Sequence, residues 1–170
     1  FQKRADGRLT MAARWLLAPY LGAAWINSRL WTRRAPQPVP VMDGVWLGRI
    51  PSEALAAPLV GVVDACAELS CRAQGAAYAS APMLDLVVPA PEQLREAAER
   101  IECLRARGPL LVCCALGYSR SAASVATWLL RSGRAADADS AVAIVRAARP
   151  GIVLGAAHLH AITAAAGARA

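Results

Sequence analysis

Cys114 is followed six positions later by Arg120 and then by Ser121, within Leu110-Leu111-Val112-Cys113-Cys114-Ala115-Leu116-Gly117-Tyr118-Ser119-Arg120-Ser121. These types at this spacing describe an anion site with a nucleophile in it. A thiol attacks as its thiolate. A loop that leaves a buried strand and enters a helix aims several backbone N–H groups at one point, and the helix dipole favours negative charge there. The same field stabilises a thiolate. Arg120 adds a planar fork for two oxygens, Gly117 allows a tight turn, and Ser121 sets a hydroxyl beside the sulfur. A phosphate would be cradled by the backbone of Ala115, Leu116, Gly117, Tyr118 and Ser119 and by the Arg120 guanidinium. The spacing alone is not selective, because Cys66-Ala67-Glu68-Leu69-Ser70-Cys71-Arg72 repeats it after another apolar run. That second loop has no glycine, carries an acid that would repel phosphate, and is followed by Ala73. The contrast selects Cys114.

The Cys114 segment resembles the His-Cys-x2-Gly-x2-Arg-Ser/Thr signature of the protein tyrosine and dual-specificity phosphatases. Cys114, Gly117, Arg120 and Ser121 match it. Cys113 stands where the family places a histidine that orients the loop and lowers the thiolate pKa. The resemblance extends over residues 41–165. Gly44-Val45-Trp46-Leu47-Gly48 is similar to the first strand, Val62-Val63-Asp64-Ala65-Cys66-Ala67-Glu68 to the second strand and turn, and Leu84-Asp85-Leu86 to the general-acid loop. Asp85 lies twenty-nine residues before Cys114 and is the only acid between Glu68 and Glu92. One helix and one strand separate the two, a path that returns to the same edge of a parallel sheet. The resemblance implies a two-step reaction. Cys114 attacks phosphorus while Asp85 protonates the leaving oxygen. Water then attacks the phosphocysteine, with Asp85 as base and Ser121 easing thiolate departure. No metal or cofactor is required.

These residues must be positioned by an α/β domain. Residues 45–48, 59–64 and 110–113 read as short strands, and a further extended piece ends at Met83-Leu84. Helices are expected over 53–57 after a Ser52 cap, over 91–107 opened by Pro91 and stopped at Gly108-Pro109, and over 119–130, 136–148 and 156–166. Strands alternating with helices imply a central, mainly parallel sheet of four or five strands, flanked by helices as in dual-specificity phosphatases. The domain is expected at 41–170, after a proline-rich linker at 35–40.

Residues 1–34 stand apart. They carry +6 of the net +7, which leaves the catalytic region almost neutral and argues against a nucleic-acid partner. Fourteen uncharged residues separate Arg14 from Arg29, too few for a membrane span. Trp15, Tyr20, Trp25 and Trp31 between arginines resemble an interfacial helix over 10–34 that lies on an anionic bilayer. The other reading packs this helix on the domain's own surface. The domain is similar to bacterial dual-specificity domains that follow a PAP2-type membrane domain, and the chain starts at Phe1, as a fragment or a processed product would. The leader's positive charges, and a Cys114 that must stay reduced, favour the cytoplasmic face of the inner membrane. Five cysteines with no framework spacing suggest free thiols in a reducing compartment. Cys66 and Cys71 lack zinc spacing; either could be a redox partner of Cys114 or a buried structural thiol. His158 and His160 read as surface or capping residues, Trp128 as packing, and Arg149 is assigned no chemistry. The uncharged loop side chains disfavour multiply phosphorylated inositol lipids. The expected substrates are phosphotyrosine or phosphoserine proteins, with a lipid monophosphate such as phosphatidylglycerophosphate as the alternative; a non-catalytic phosphate-binding module is the third reading.

Overall fold

A computed structural model describes residues 2–4, 6–52, 58–71, 73 and 75–167. Five strands, β1 (Val39–Met42), β2 (Val45–Arg49), β3 (Gly61–Cys66), β4 (Ala77–Met83) and β5 (Leu110–Cys114), form one sheet in the order β1-β2-β5-β3-β4. Only β1 is antiparallel to its neighbour. The sheet is therefore mostly parallel and flanked by helices, as the sequence implies. β5 lies at its centre, registered on β2 and β3, so the strand that ends in Cys114 is braced on both sides.

Successive residues of a strand point to opposite faces. On one face, Val63, Ala65, Leu110, Val112 and Cys114 join the main core with four helices: α3 (Pro91–Arg105), α4 (Arg120–Arg131), α5 (Ala138–Ala148) and α6 (Ala156–Gly167). On the other, Val62, Cys66, Leu111 and Cys113 form a smaller cluster with Ile50, Leu69 and Cys71. β3 is buried along its whole length, which explains its continuous apolar run.

The leader covers that second face. It forms two helices, α1 (Met11–Leu16) and α2 (Ala18–Trp31), with Pro19 in the first turn of α2. Lys3 Nζ reaches the buried carboxylate of Asp64 at 2.5 Å and the Cys66 carbonyl at 2.5 Å. The Cys71 N–H donates to the Gly7 carbonyl at 2.9 Å. Ser28 and Arg29 of α2 donate to the Ala115 and Ile50 carbonyls. The packed reading of the leader is thus the one observed, although many of its aromatic and apolar side chains stay exposed. The linker needs correcting too. Val39 and Pro40 are not linker but the start of β1, an edge strand where proline's missing N–H costs no ladder bond. The helix expected over 53–57 lies outside the described residues.

Candidate active site

The loop from β5 into α4 is shaped by Gly117. Its φ is +76°, and an added Cβ would stand 2.5 Å from the Gly48 carbonyl oxygen on β2. Only glycine fits such a left-handed turn pressed on backbone. Three of the loop carbonyls are tied off from outside the loop. Ala115 O accepts from Ser28 Oγ at 2.6 Å, Leu116 O from Arg149 Nη2 at 3.3 Å, and Tyr118 O from the Val153 N–H at 2.8 Å. Peptides with outward carbonyls point their N–H groups inward. The Gly117 N–H donates to Cys114 Sγ at 3.2 Å, and Ser121 Oγ donates to the same sulfur at 3.2 Å.

Cys114 is buried, which by itself raises a thiol's pKa. Arg120, the Ser121 hydroxyl and the Ser121 and Gly117 N–H groups outweigh this, and its pKa lies below the ordinary value. Its neighbours go the other way. The Cys113 thiol is pushed well up by its hydrogen bond to Cys71 and by burial, and Cys66 by burial and nearby Glu68 and Asp64. Cys113 points to the leader face, so it substitutes for the family's histidine in position only. Cys71 pairs with Cys113. Arg120, Ser121 and the Gly117 N–H stabilise the thiolate in its place.

Arg120 is buried and fully engaged at its two Nη atoms. Nη1 donates to Glu68 Oε2 at 2.7 Å and to the Met83 carbonyl at 3.0 Å; Nη2 donates to Glu68 Oε1 at 2.7 Å and lies 3.0 Å from Asp85 Oδ1. Its Nε–H is buried and has no partner among the described residues. A bidentate Glu68 fixes the guanidinium plane and leaves that edge for an incoming phosphate oxygen. Burial would raise the Glu68 pKa, but Arg120 holds it below the usual value. Glu68 is the functional residue that sequence reasoning missed: the acid that disqualified the Cys66 loop as a phosphate site is the one that orients Arg120. Arg72, which completes that second motif, lies outside the described residues.

The structure brings Asp85 and Arg120 together from opposite ends of the sequence segment between them. β4 delivers the acid loop, and β5 with α4 delivers the arginine. Asp85 is partly exposed, as a group that exchanges protons with a substrate needs to be. Arg149, given no chemistry from sequence, also belongs to the site's support. It is buried, stacks on the Tyr118 ring with 4.9 Å to the centroid, and ties Leu116 O to the Ala35 and Gln37 carbonyls at 3.2 and 3.3 Å. His158 is more than a cap. Its Nδ1 accepts from the Gly155 N–H, so Nε2 carries the proton it shares with Ser119 Oγ at 3.1 Å. His160 is exposed.

A family model described as dual specificity phosphatase, catalytic domain, matches residues 61–166. The chain belongs to the dual-specificity phosphatase family. Among solved structures, this phosphatase is similar to human DUSP28 at 23% identity and a TM-score of 0.66, over 76% of this chain and 96% of that one. It is similar to Tk-PTP in its active form at 23% identity and a TM-score of 0.67, over 79% and 99%. PTPMT1 follows at 19% identity and a TM-score of 0.65, over 77% and 94%. No curated protein is matched by its sequence. At these identities the solved structures establish the fold of this phosphatase; the family match establishes that it is a phosphatase. α1, α2, β1 and β2 lie outside the matched residues.

Proposed function

We propose that this dual-specificity phosphatase hydrolyses phosphomonoesters through a phosphocysteine on Cys114. The observation that carries the proposal is the lowered Cys114 thiol, held by the Gly117 N–H and Ser121 hydroxyl, with Asp85 resting on Arg120. In the first step the Cys114 thiolate attacks phosphorus in line. The Arg120 Nε edge and the inward N–H groups of residues 115–119 take the equatorial oxygens. Asp85 leaves Arg120 and gives its proton to the departing oxygen. In the second step Asp85 accepts a proton from water as that water attacks the phosphocysteine, and the Ser121 hydroxyl stabilises the returning thiolate.

The substrates proposed are phosphotyrosine and phosphoserine side chains of proteins, since Ala115, Leu116 and Tyr118 offer no added positive charge for a polyphosphate. A second reading, a lipid monophosphate, draws on the exposed apolar side chains of α1 and α2 and on the similar fold of PTPMT1, which has been solved in complex with PI(5)P. The leader is proposed to rest on an anionic bilayer at the cytoplasmic side of the inner membrane. No helix among the described residues is long and apolar enough to cross one. Turnover of phosphotyrosine peptides against phosphatidylglycerophosphate at matched concentration separates the substrate readings. If the folded chain turned over neither these nor a generic aryl phosphate, the enzymatic reading would fall and a phosphate-binding module would replace it.

A further inference from the structure

Leu86, next to the general acid, is 100% exposed and has a φ of +60°, a left-handed conformation that a leucine rarely takes. Leu84, Val87 and Val88 beside it are exposed as well. A single exposed leucine needs no explanation. Four apolar side chains around Asp85, one held in a strained turn that points it into solvent, do.

The leader carries a second apolar set. Trp15 is 78% exposed, and Leu16, Tyr20, Trp25 and Trp31 are also exposed. The leader and the acid loop both lie beside Arg120. Tyr20 lies close enough to Glu68, Asp85 and Arg120 for their charges to act on its hydroxyl. A cavity of about 530 Å³ between the leader and the domain is lined by Trp25 and Arg29 on one side and Glu68 on the other. So α2 flanks Arg120 on its Glu68 side, and the acid loop reaches Arg120 through Asp85. An apolar rim interleaved with arginines, from a segment that stays basic even with Lys3 paired to Asp64, complements the boundary between anionic headgroups and acyl chains.

We propose that the acid loop is a second bilayer contact, with Leu86 and Val87 seated in the headgroup–acyl boundary beside α1 and α2, so that the phosphate loop opens toward the membrane plane. This rests on the membrane location proposed for the leader. The strained turn at Leu86 is then offset by burial of its side chain.

Sedimentation with vesicles of phosphatidylglycerol and phosphatidylcholine tests this on the full chain. Leu86→Asn removes the apolar side chain while keeping a residue that tolerates the left-handed turn. Val87→Ser serves if the first variant melts abnormally. Each is expected to bind vesicles about tenfold more weakly than the unaltered chain, the loss of a partly buried apolar side chain, while raised salt still weakens what binding remains. If the variants bind as tightly as the unaltered chain, the loop contact is overturned and the leader contact stands. If the unaltered chain does not sediment, both are overturned. Aryl phosphate turnover without vesicles, measured in parallel on the unaltered chain, reports on the phosphatase reading alone.

Discussion

Alternation along β5 decides which of two adjacent thiols reacts. Cys113 faces the leader and Cys71, whereas Cys114 faces the loop N–H groups and Ser121. The Cys114 pKa lies below the ordinary thiol value, so its thiolate persists as pH falls through the range where a free cysteine, with a pKa of about 8.5, is protonated. Iodoacetamide is therefore expected to inactivate the enzyme well below that pH by modifying Cys114, as peptide mapping would show. Cys66 and Cys113, raised and buried, stay unmodified. Cys114→Ser is expected to abolish turnover, while Cys113→Ser keeps most of it; equal loss in two folded variants would contradict the assignment. Asp85→Asn is expected to lower turnover strongly for alkyl phosphates and much less for an aryl phosphate with a good leaving group, which needs little protonation. That Cys114, Arg120 and Ser121 would lie together was legible from residue types at a fixed spacing, and the approach of Asp85 to Arg120 from its position in the fold and the family resemblance. Glu68 was not, because its task is set by a partner 52 residues away rather than by its own loop.

At the scale of elements, the phosphate loop owes its shape to β2, the strand next to β5 in the sheet. Gly117 presses on Gly48 of β2, and the Ile50 N–H donates to the Cys114 carbonyl at 2.7 Å. Gly117→Ala must either open the loop or push β2 aside. A left-handed alanine alone costs about 1–2 kcal/mol, and the clash with backbone adds to it. The expected outcome is a lower melting temperature together with loss of aryl phosphate turnover. A variant that kept both would show that the loop tolerates a side chain there. The main strands and α3 to α6 follow directly from apolar runs, Pro91 and the Gly108-Pro109 stop. β1 escaped because Val39 and Pro40 sit among prolines, and only pairing with β2 makes them a strand. Arg149 and His158 escaped for the same reason as Glu68: their partners, Leu116 O and Ser119 Oγ, are brought to them by the fold.

Taken as a whole, the molecule is a sheet covered by the catalytic helices on one face and by its leader on the other. The leader's charge and aromatic pattern suggest a segment apart, but Lys3 and Asp64 form a buried ion pair with side chains 4% and 0% exposed. Burial pushes the Asp64 pKa up, while Lys3, the Cys66 N–H and the Tyr78 hydroxyl pull it back. Removing one partner of a buried pair costs about 3–5 kcal/mol. Lys3→Met is thus expected to lower the melting temperature by roughly 2–4 °C per kcal/mol. The sign with pH follows from the raised carboxyl. Without Lys3 it rises further, so the deficit is smallest in acid, where Asp64 is neutral in both proteins, and grows toward neutral pH. Deleting residues 1–34 removes the same contact plus Ser28 and Arg29 and is expected to lower the melting point further; an unchanged melting curve would show the leader to be dispensable for the fold.

The anchors that turn the phosphate-loop carbonyls outward have a kinetic meaning. Ser28 to Ala115 spans 87 residues, and Arg149 to Gln37 and Ala35 spans 112 and 114. Closing such long loops is entropically costly and slow compared with forming the local turns of α3 to α6. On dilution from denaturant, the helical circular-dichroism signal should therefore recover before aryl phosphate turnover does, because the thiol becomes a catalyst only when both ends of the chain have been fastened around its loop.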